Sequence, residues 1–239
     1  MQERIIWRKE WLSIYESPFS IYDKICYANV ITQSEFFKHF GSPLNNDVSF
    51  LLIRGLDYSK IENMISYPLL SQFHNSINNL SENFLSRFTR TDHFYNKDFY
   101  YCQICSLTGY HSLFFQFKFI KECPFHMEPL KNICRVCNQP LNYTYYKSSS
   151  ISQCCTNCNE PVLLHQHTFP SFKSYTMRDI KSQDILDFLN LNLAKKEILK
   201  NTVFPQIENQ TTKGDLNFVL YCLSERYNYL QNNLNGQNT

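Results

Sequence analysis

Eight residues between 102 and 158 constrain this chain more than anything else in it. They come as four pairs, Cys102/Cys105, Cys123/His126, Cys134/Cys137 and Cys155/Cys158, each with two residues in between. That spacing lets a tight turn present two donors to one tetrahedral ion, with backbone N–H groups able to reach the sulfurs. Seventeen residues separate Cys105 from Cys123, and seventeen separate Cys137 from Cys155. Adding 32 to Cys102, Cys105, Cys123 and His126 lands on Cys134, Cys137, Cys155 and Cys158, so one ligand module occurs twice. The register selects Cys155 over its neighbour Cys154, which is expected to be a bystander.

Sequential pairing is the simplest arrangement: a site of three cysteines and one histidine, then a site of four cysteines. The loop from His126 to Cys134 is only seven residues long. A cross-braced arrangement, first pair with third and second with fourth, remains open from the sequence. Either way each ion has four protein ligands and no position for water. Closed, thiolate-rich sites of this kind are structural, whereas catalytic zinc keeps an exchangeable ligand. Two structural Zn2+ ions are expected. His165 and His167 follow the last cysteine and read as surface residues, and Cys26 and Cys222 read as small core hydrophobes in helical patterns.

Ten cysteines would also suit a disulfide-rich secreted protein. Charges at Glu3, Arg4, Arg8 and Lys9 interrupt the N-terminus, so no signal-peptide core is expected there. No apolar stretch approaches the roughly 18 residues of a membrane span. A cytoplasmic protein with no membrane partner is the expectation, which favours metal over disulfides. At 239 residues and 43% hydrophobic, the chain has enough apolar material for a core. The net charge of +2 is a weak footprint for nucleic acid. Mild basic clusters, Lys118, Lys121, Lys131 and Arg135 and then Lys195, Lys196 and Lys200, read as solvated lysines and arginines.

The flanks read as helical. Ser17-Pro18 is an N-cap followed by proline at the first helical position, and Thr32-Gln-Ser-Glu35 is a capping box. Another short helix starts near Ser59, and Leu113 to Ile120 suggests strand. Residues 178 to 200 and 214 to 231 carry helical spacing. The expected fold is mainly α with small zinc-ribbon β modules. Its parts are an N-terminal helix-turn-helix-like region (1–98), tandem zinc-binding modules (99–168) and C-terminal helices (169–239). Composition does not separate a helix-turn-helix cluster from an ordinary bundle.

With these residues in view, the chain resembles the TniQ family of bacterial transposon target-selection proteins, related to TnsD. The motif E-S-x-x-S stands here as Glu16-Ser17-Pro18-Phe19-Ser20, followed by Ala28-Asn29, a short helix from Thr32 to Gly41, and Arg54-Gly55-Leu56 in place of T-G-L. The ligand segment matches as Tyr101-Cys102-Gln-Ile-Cys105, Phe115-Gln116, Cys123-Pro124-Phe125-His126, and Cys134-Arg-Val-Cys137 with Leu141. The first pair lacks the family's usual proline, and Phe115 replaces a frequent tryptophan. The resemblance covers residues 10 to 160. It implies a non-enzymatic adaptor in DNA transposition. Such a protein links target recognition, by DNA or by a CRISPR effector complex, to an AAA+ ATPase regulator. The family alone also implies a head-to-tail homodimer. The competing reading is a zinc-containing, sequence-specific transcriptional regulator, against which the low net charge counts. Enzymatic function is not expected: carboxylates are scattered, and no H-E-x-x-H, phosphate-binding loop or nucleophile elbow occurs.

Overall fold

The computed structural model describes residues 5–8, 11–13, 15–40, 58–65, 96, 98–117, 120–143, 154–164, 179–183 and 185–186. The expected element at 214–231, most of 178–200, and Lys118, His165, His167, Lys195, Lys196, Lys200 and Cys222 lie outside them.

Helix α1 (Pro18–Asn29) begins as its sequence dictates. Ser17 is extended (φ −75°, ψ 154°), its hydroxyl accepts the Ser20 N–H at 3.0 Å, and Pro18 starts the helix where no N–H is needed. Val30 ends it in the left-handed region (φ 54°), and the Ile31 N–H returns to the Cys26 carbonyl at 3.2 Å. Helix α2 (Gln33–Phe40) opens with the expected capping box: the Thr32 N–H donates to Glu35 Oε2 at 2.7 Å, and the Glu35 N–H donates to Thr32 Oγ1 at 3.2 Å. Helix α3 (Tyr58–Ile65) buries Ile61, and α4 (Gln103–Ser106) is a single turn.

The strand expected at Leu113 to Ile120 is instead a 3-10 turn over Leu113–Gln116. Its Ser112 hydroxyl accepts the Phe114 N–H at 3.3 Å, which closes the turn, and Ser112 itself forms an isolated antiparallel bridge with Glu16. Among the described residues, β-structure amounts to isolated antiparallel bridges, so the ribbon character is slight.

Ten of the twelve residues of α1 are buried, because the ligand segment wraps it. Phe19 sits among Phe99 (4.9 Å between ring centroids), His111 (5.5 Å) and Tyr143 (5.7 Å). On the other side Tyr22 meets Phe36 of α2 at 4.8 Å. One hydrophobic core therefore joins α1, α2, α3 and the ligand segment, and it includes Ile185. Residues 181 and 182 dock on the second ligand turn, where the Lys181 N–H donates to the Pro124 carbonyl at 2.7 Å.

Candidate metal centres

The eight residues gather into two sets, Cys102, Cys105, Cys123 and His126, and Cys134, Cys137, Cys155 and Cys158, with the donor atoms of each set within 4.8 Å of one another. The pairing is sequential, not cross-braced. In the first set His126 Nδ1 stands 3.4 Å from each of the Cys102, Cys105 and Cys123 sulfurs, and Cys105 and Cys123 are 3.8 Å apart. In the second, Cys134 and Cys158 are 3.6 Å apart and Cys137 and Cys155 are 3.4 Å apart. Sulfurs about 2.3 Å and a nitrogen about 2.0–2.1 Å from one zinc ion would be about 3.5–3.8 Å apart at tetrahedral angles. The observed spacings match that figure to within a few tenths of an ångström, and no disulfide joins any described cysteine. Each cluster can hold one tetrahedral metal ion.

Three of the four ligand pairs are the same turn. In Cys123–Pro129, Cys134–Pro140 and Cys155–Pro161 the first ligand's N–H donates to the carbonyl five residues on, at 2.8, 2.8 and 2.9 Å. The residue four on, Met127, Asn138 or Asn159, returns its N–H to the first ligand's carbonyl and adopts φ of 57°, 57° and 56°. An antiparallel bridge closes each turn, Glu122 to Pro129, Ile133 to Pro140 and Cys154 to Pro161. The turn also directs N–H groups toward sulfur: Val136 N–H lies 3.4 Å from Cys134 Sγ, and a backbone hydrogen bond at Gln139 is the main cause drawing Cys137 down to about 6.

The first pair differs. Cys102 N-caps α4, Ser106 N–H donates to the Cys102 carbonyl at 2.9 Å, and Gly109 takes the positive φ (64°) instead. The ligand spacing thus repeats in number but not in conformation.

The thiols within a set act on one another. Hydrogen bonds from Cys105 and Cys123 draw the Cys102 thiol far down, and Cys123 is pushed up, first by its bond to Cys102. A thiolate that ready to form suits a cation. Cys154 is outside the second set, as expected. Its thiol is pushed up to about 11 by burial and then by Asp23, Glu160 and Cys155. Cys26 is wholly buried in α1, where burial and Asp23 raise its thiol well above the ordinary value.

Two basic residues are engaged within the chain. The Arg135 guanidinium pairs with Glu160 and donates to the Pro161 carbonyl at 3.0 Å, clipping the two turns of the second set together. Lys131 Nζ donates to Gln103 Oε1 at 2.7 Å.

Sequence reasoning missed a buried polar network. Glu16 and Lys24 form an ion pair with no exposed side-chain surface. Glu16 also accepts from Ser13 N–H (2.9 Å) and the Ser20 hydroxyl (2.6 Å), and Lys24 donates to the Trp11 carbonyl (2.6 Å). Ser20 and Lys24 stand four apart on one face of α1, and Glu16 lies just before its cap, which is the signal that was there to read. His111 is fully buried as well, between Ser17 and Tyr100.

Compared with known proteins, the chain matches no protein-family model and no curated sequence. No helix of the described residues is long and apolar enough to cross a membrane.

Proposed function

We propose that the chain is a zinc-built adaptor of the TniQ kind. It takes one Zn2+ at each cluster for structure alone. It couples a target-recognition element, DNA or an RNA-guided effector, to an AAA+ regulator of transposition. Zinc is the favoured ion because thiolate-rich tetrahedral donor sets suit it, and it needs no redox partner.

The observation that carries the adaptor reading is where the motif residues lie. Glu16, Ser17 and Ser20, the polar residues of the N-terminal motif, are hydrogen-bonded in the interior against the ligand segment. The two halves of the resemblance therefore belong to one folding unit, as a shared motif architecture requires. Four protein donors at each ion leave no position for a substrate, which favours binding over catalysis. Arg135 and Lys131 have partners inside the chain, which favours a protein-facing adaptor over a direct reader of DNA phosphates.

The test is affinity purification of the full chain from its native host after nuclease treatment, with partners identified by mass spectrometry. Recovery of an AAA+ ATPase, a transposase subunit or a CRISPR effector is the expected result. Recovery of the chain alone, with a specific DNA fragment bound only when nuclease is omitted, would replace the adaptor with a transcriptional regulator that reads DNA itself.

A further inference from the structure

Helix α1 and the first metal centre meet at one side chain. His111 Nε2 lies 2.8 Å from the Tyr100 carbonyl oxygen. A carbonyl only accepts, so Nε2 carries the proton, and in the neutral ring Nδ1 is left as an acceptor. The ring is neutral because burial drives its pKa down to about 3, against a smaller opposing effect of the Tyr100 bond. Nδ1 lies 2.7 Å from Ser17 Oγ, so the serine hydroxyl donates to it. That same Oγ accepts the Ser20 N–H and caps α1. The backbone doubles the link, since the Ser17 N–H donates to the His111 carbonyl at 2.9 Å.

The other end of this relay is the first ligand pair. Tyr100 stands two residues before Cys102. Tyr110, next to His111, donates its N–H to the Cys105 carbonyl at 3.2 Å. His111 is therefore gripped by the chain on both sides of the Cys102–Cys105 turn. Residues 98 to 117 contain one four-residue helix, one 3-10 turn and isolated bridges, with no ladder to hold this shape.

The 32-residue offset carries His111 onto Tyr143. Both rings pack on Phe19 and on Phe99. Tyr143 Oη makes no hydrogen bond to α1 among the described residues, so Tyr143 meets the start of α1 by packing, and His111 meets it by packing and a hydrogen-bond relay.

We propose that Ser17 and His111 couple metal at the Cys102–Cys105–Cys123–His126 centre to the capping of α1, each stabilising the other, a relay that Tyr143 does not repeat among the described residues of the four-cysteine module. The inference rests on the reading of both clusters as metal sites. Coupling of two equilibria is reciprocal, so a lesion at the cap must weaken the metal, and loss of the metal must loosen the cap. Ser17 and His111 are positioning residues in this scheme, since neither touches the ion.

Co2+ separates the two centres, because three sulfurs with one nitrogen and four sulfurs give different visible spectra. The metal-free full chain is titrated with Co2+ against a competing chelator, as the unaltered protein and as Ser17→Ala, His111→Gln and Ser17→Thr. Loss of a hydrogen-bond partner of a metal ligand typically costs metal affinity about 10- to 100-fold, and Ser17 and His111 act one step further out, so the factor expected here is about threefold to tenfold. Ser17→Ala and His111→Gln are expected to weaken the histidine-containing centre by about that factor and to leave the four-cysteine centre within about twofold. Ser17→Thr is expected to restore it. Amide hydrogen exchange in the unaltered protein supplies a readout that needs no variant: protection of Ile21–Cys26 should appear with the spectrum of the histidine-containing centre. Equal weakening of both centres, weakening of neither, or α1 protected before Co2+ occupies the first centre would overturn the coupling. Absence of both spectra would overturn the metal reading itself, a different outcome from normal spectra with no selective change.

Discussion

Met127 holds its backbone at φ 57°, the place that Asn138 and Asn159 occupy in the two sister turns. A side chain with no local hydrogen bond to offer loses about 1–2 kcal/mol there, and asparagine loses less. Met127→Asn should therefore raise the stability of the metal-loaded protein by about 0.5–1 kcal/mol, read as a higher urea midpoint; an unchanged or lower midpoint would show that the turn is not under that strain. Glu16 and Lys24 lie at the opposite extreme. Lys24→Met leaves a buried carboxylate without its cation and should cost about 3–5 kcal/mol in the same assay. His111 makes stability depend on pH. Its pKa is about 3 in the fold and about 6.5 when free, so the unfolded chain binds the proton first as pH falls. Its contribution is complete above about pH 6.5 and is lost progressively toward about pH 3. The unaltered protein should lose stability more steeply than His111→Gln between about pH 6.5 and 5, both measured with metal bound; parallel slopes would count against a neutral buried ring. The ligands were legible one by one because metal chemistry demands fixed types at fixed spacing. His111 was not, because nothing local marks a histidine whose partners stand 11 and 94 residues away.

Caps were the most readable elements. Ser17-Pro18 and Thr32-x-x-Glu35 carry their chemistry within four residues, and both form the hydrogen bonds their spacing implies. Thr32→Ala should destabilise the protein by about 1 kcal/mol, with faster exchange confined to α2 amides; loss of protection throughout the core would mean that α2 is not a local unit. The ligand turns were readable only in part. The seven-residue pattern from first ligand to proline is present three times in the sequence, at 123–129, 134–140 and 155–161, and predicts their common turn once the left-handed position four residues after the first ligand is recognised. The first pair has no such proline and folds as a helical turn. Leu113 to Ile120 misled because its apolar run fits a strand and a buried turn equally well, and Ser112 decides between them by capping.

The described part of the molecule is organised around a helix enclosed by the two modules that carry the candidate metal clusters. Phe19 packs on Phe99 and on one residue from each repeat, so α1 is the common filling of both. That enclosure was hidden in the sequence, since Asp23 and Lys24 give α1 the look of a surface helix while both are fully buried. Regular structure among the described residues around α1 is sparse, so an ion held at each cluster would tie the ligand segment together. Chelation should therefore remove packing around α1 as well as around the clusters, seen as loss of near-ultraviolet dichroism from the buried aromatics and its return on adding Zn2+. Persistence of the full aromatic signal in metal-free protein would mean that the core stands without the ions. The most direct test of the two-centre architecture is metal content joined to native mass spectrometry on protein purified without added metal. Two Zn2+ per chain, with one lost in Cys102→Ser and the other in Cys155→Ser, is the expected result. Folded protein carrying no metal, or intact masses showing the eight ligands joined as disulfides, would contradict it.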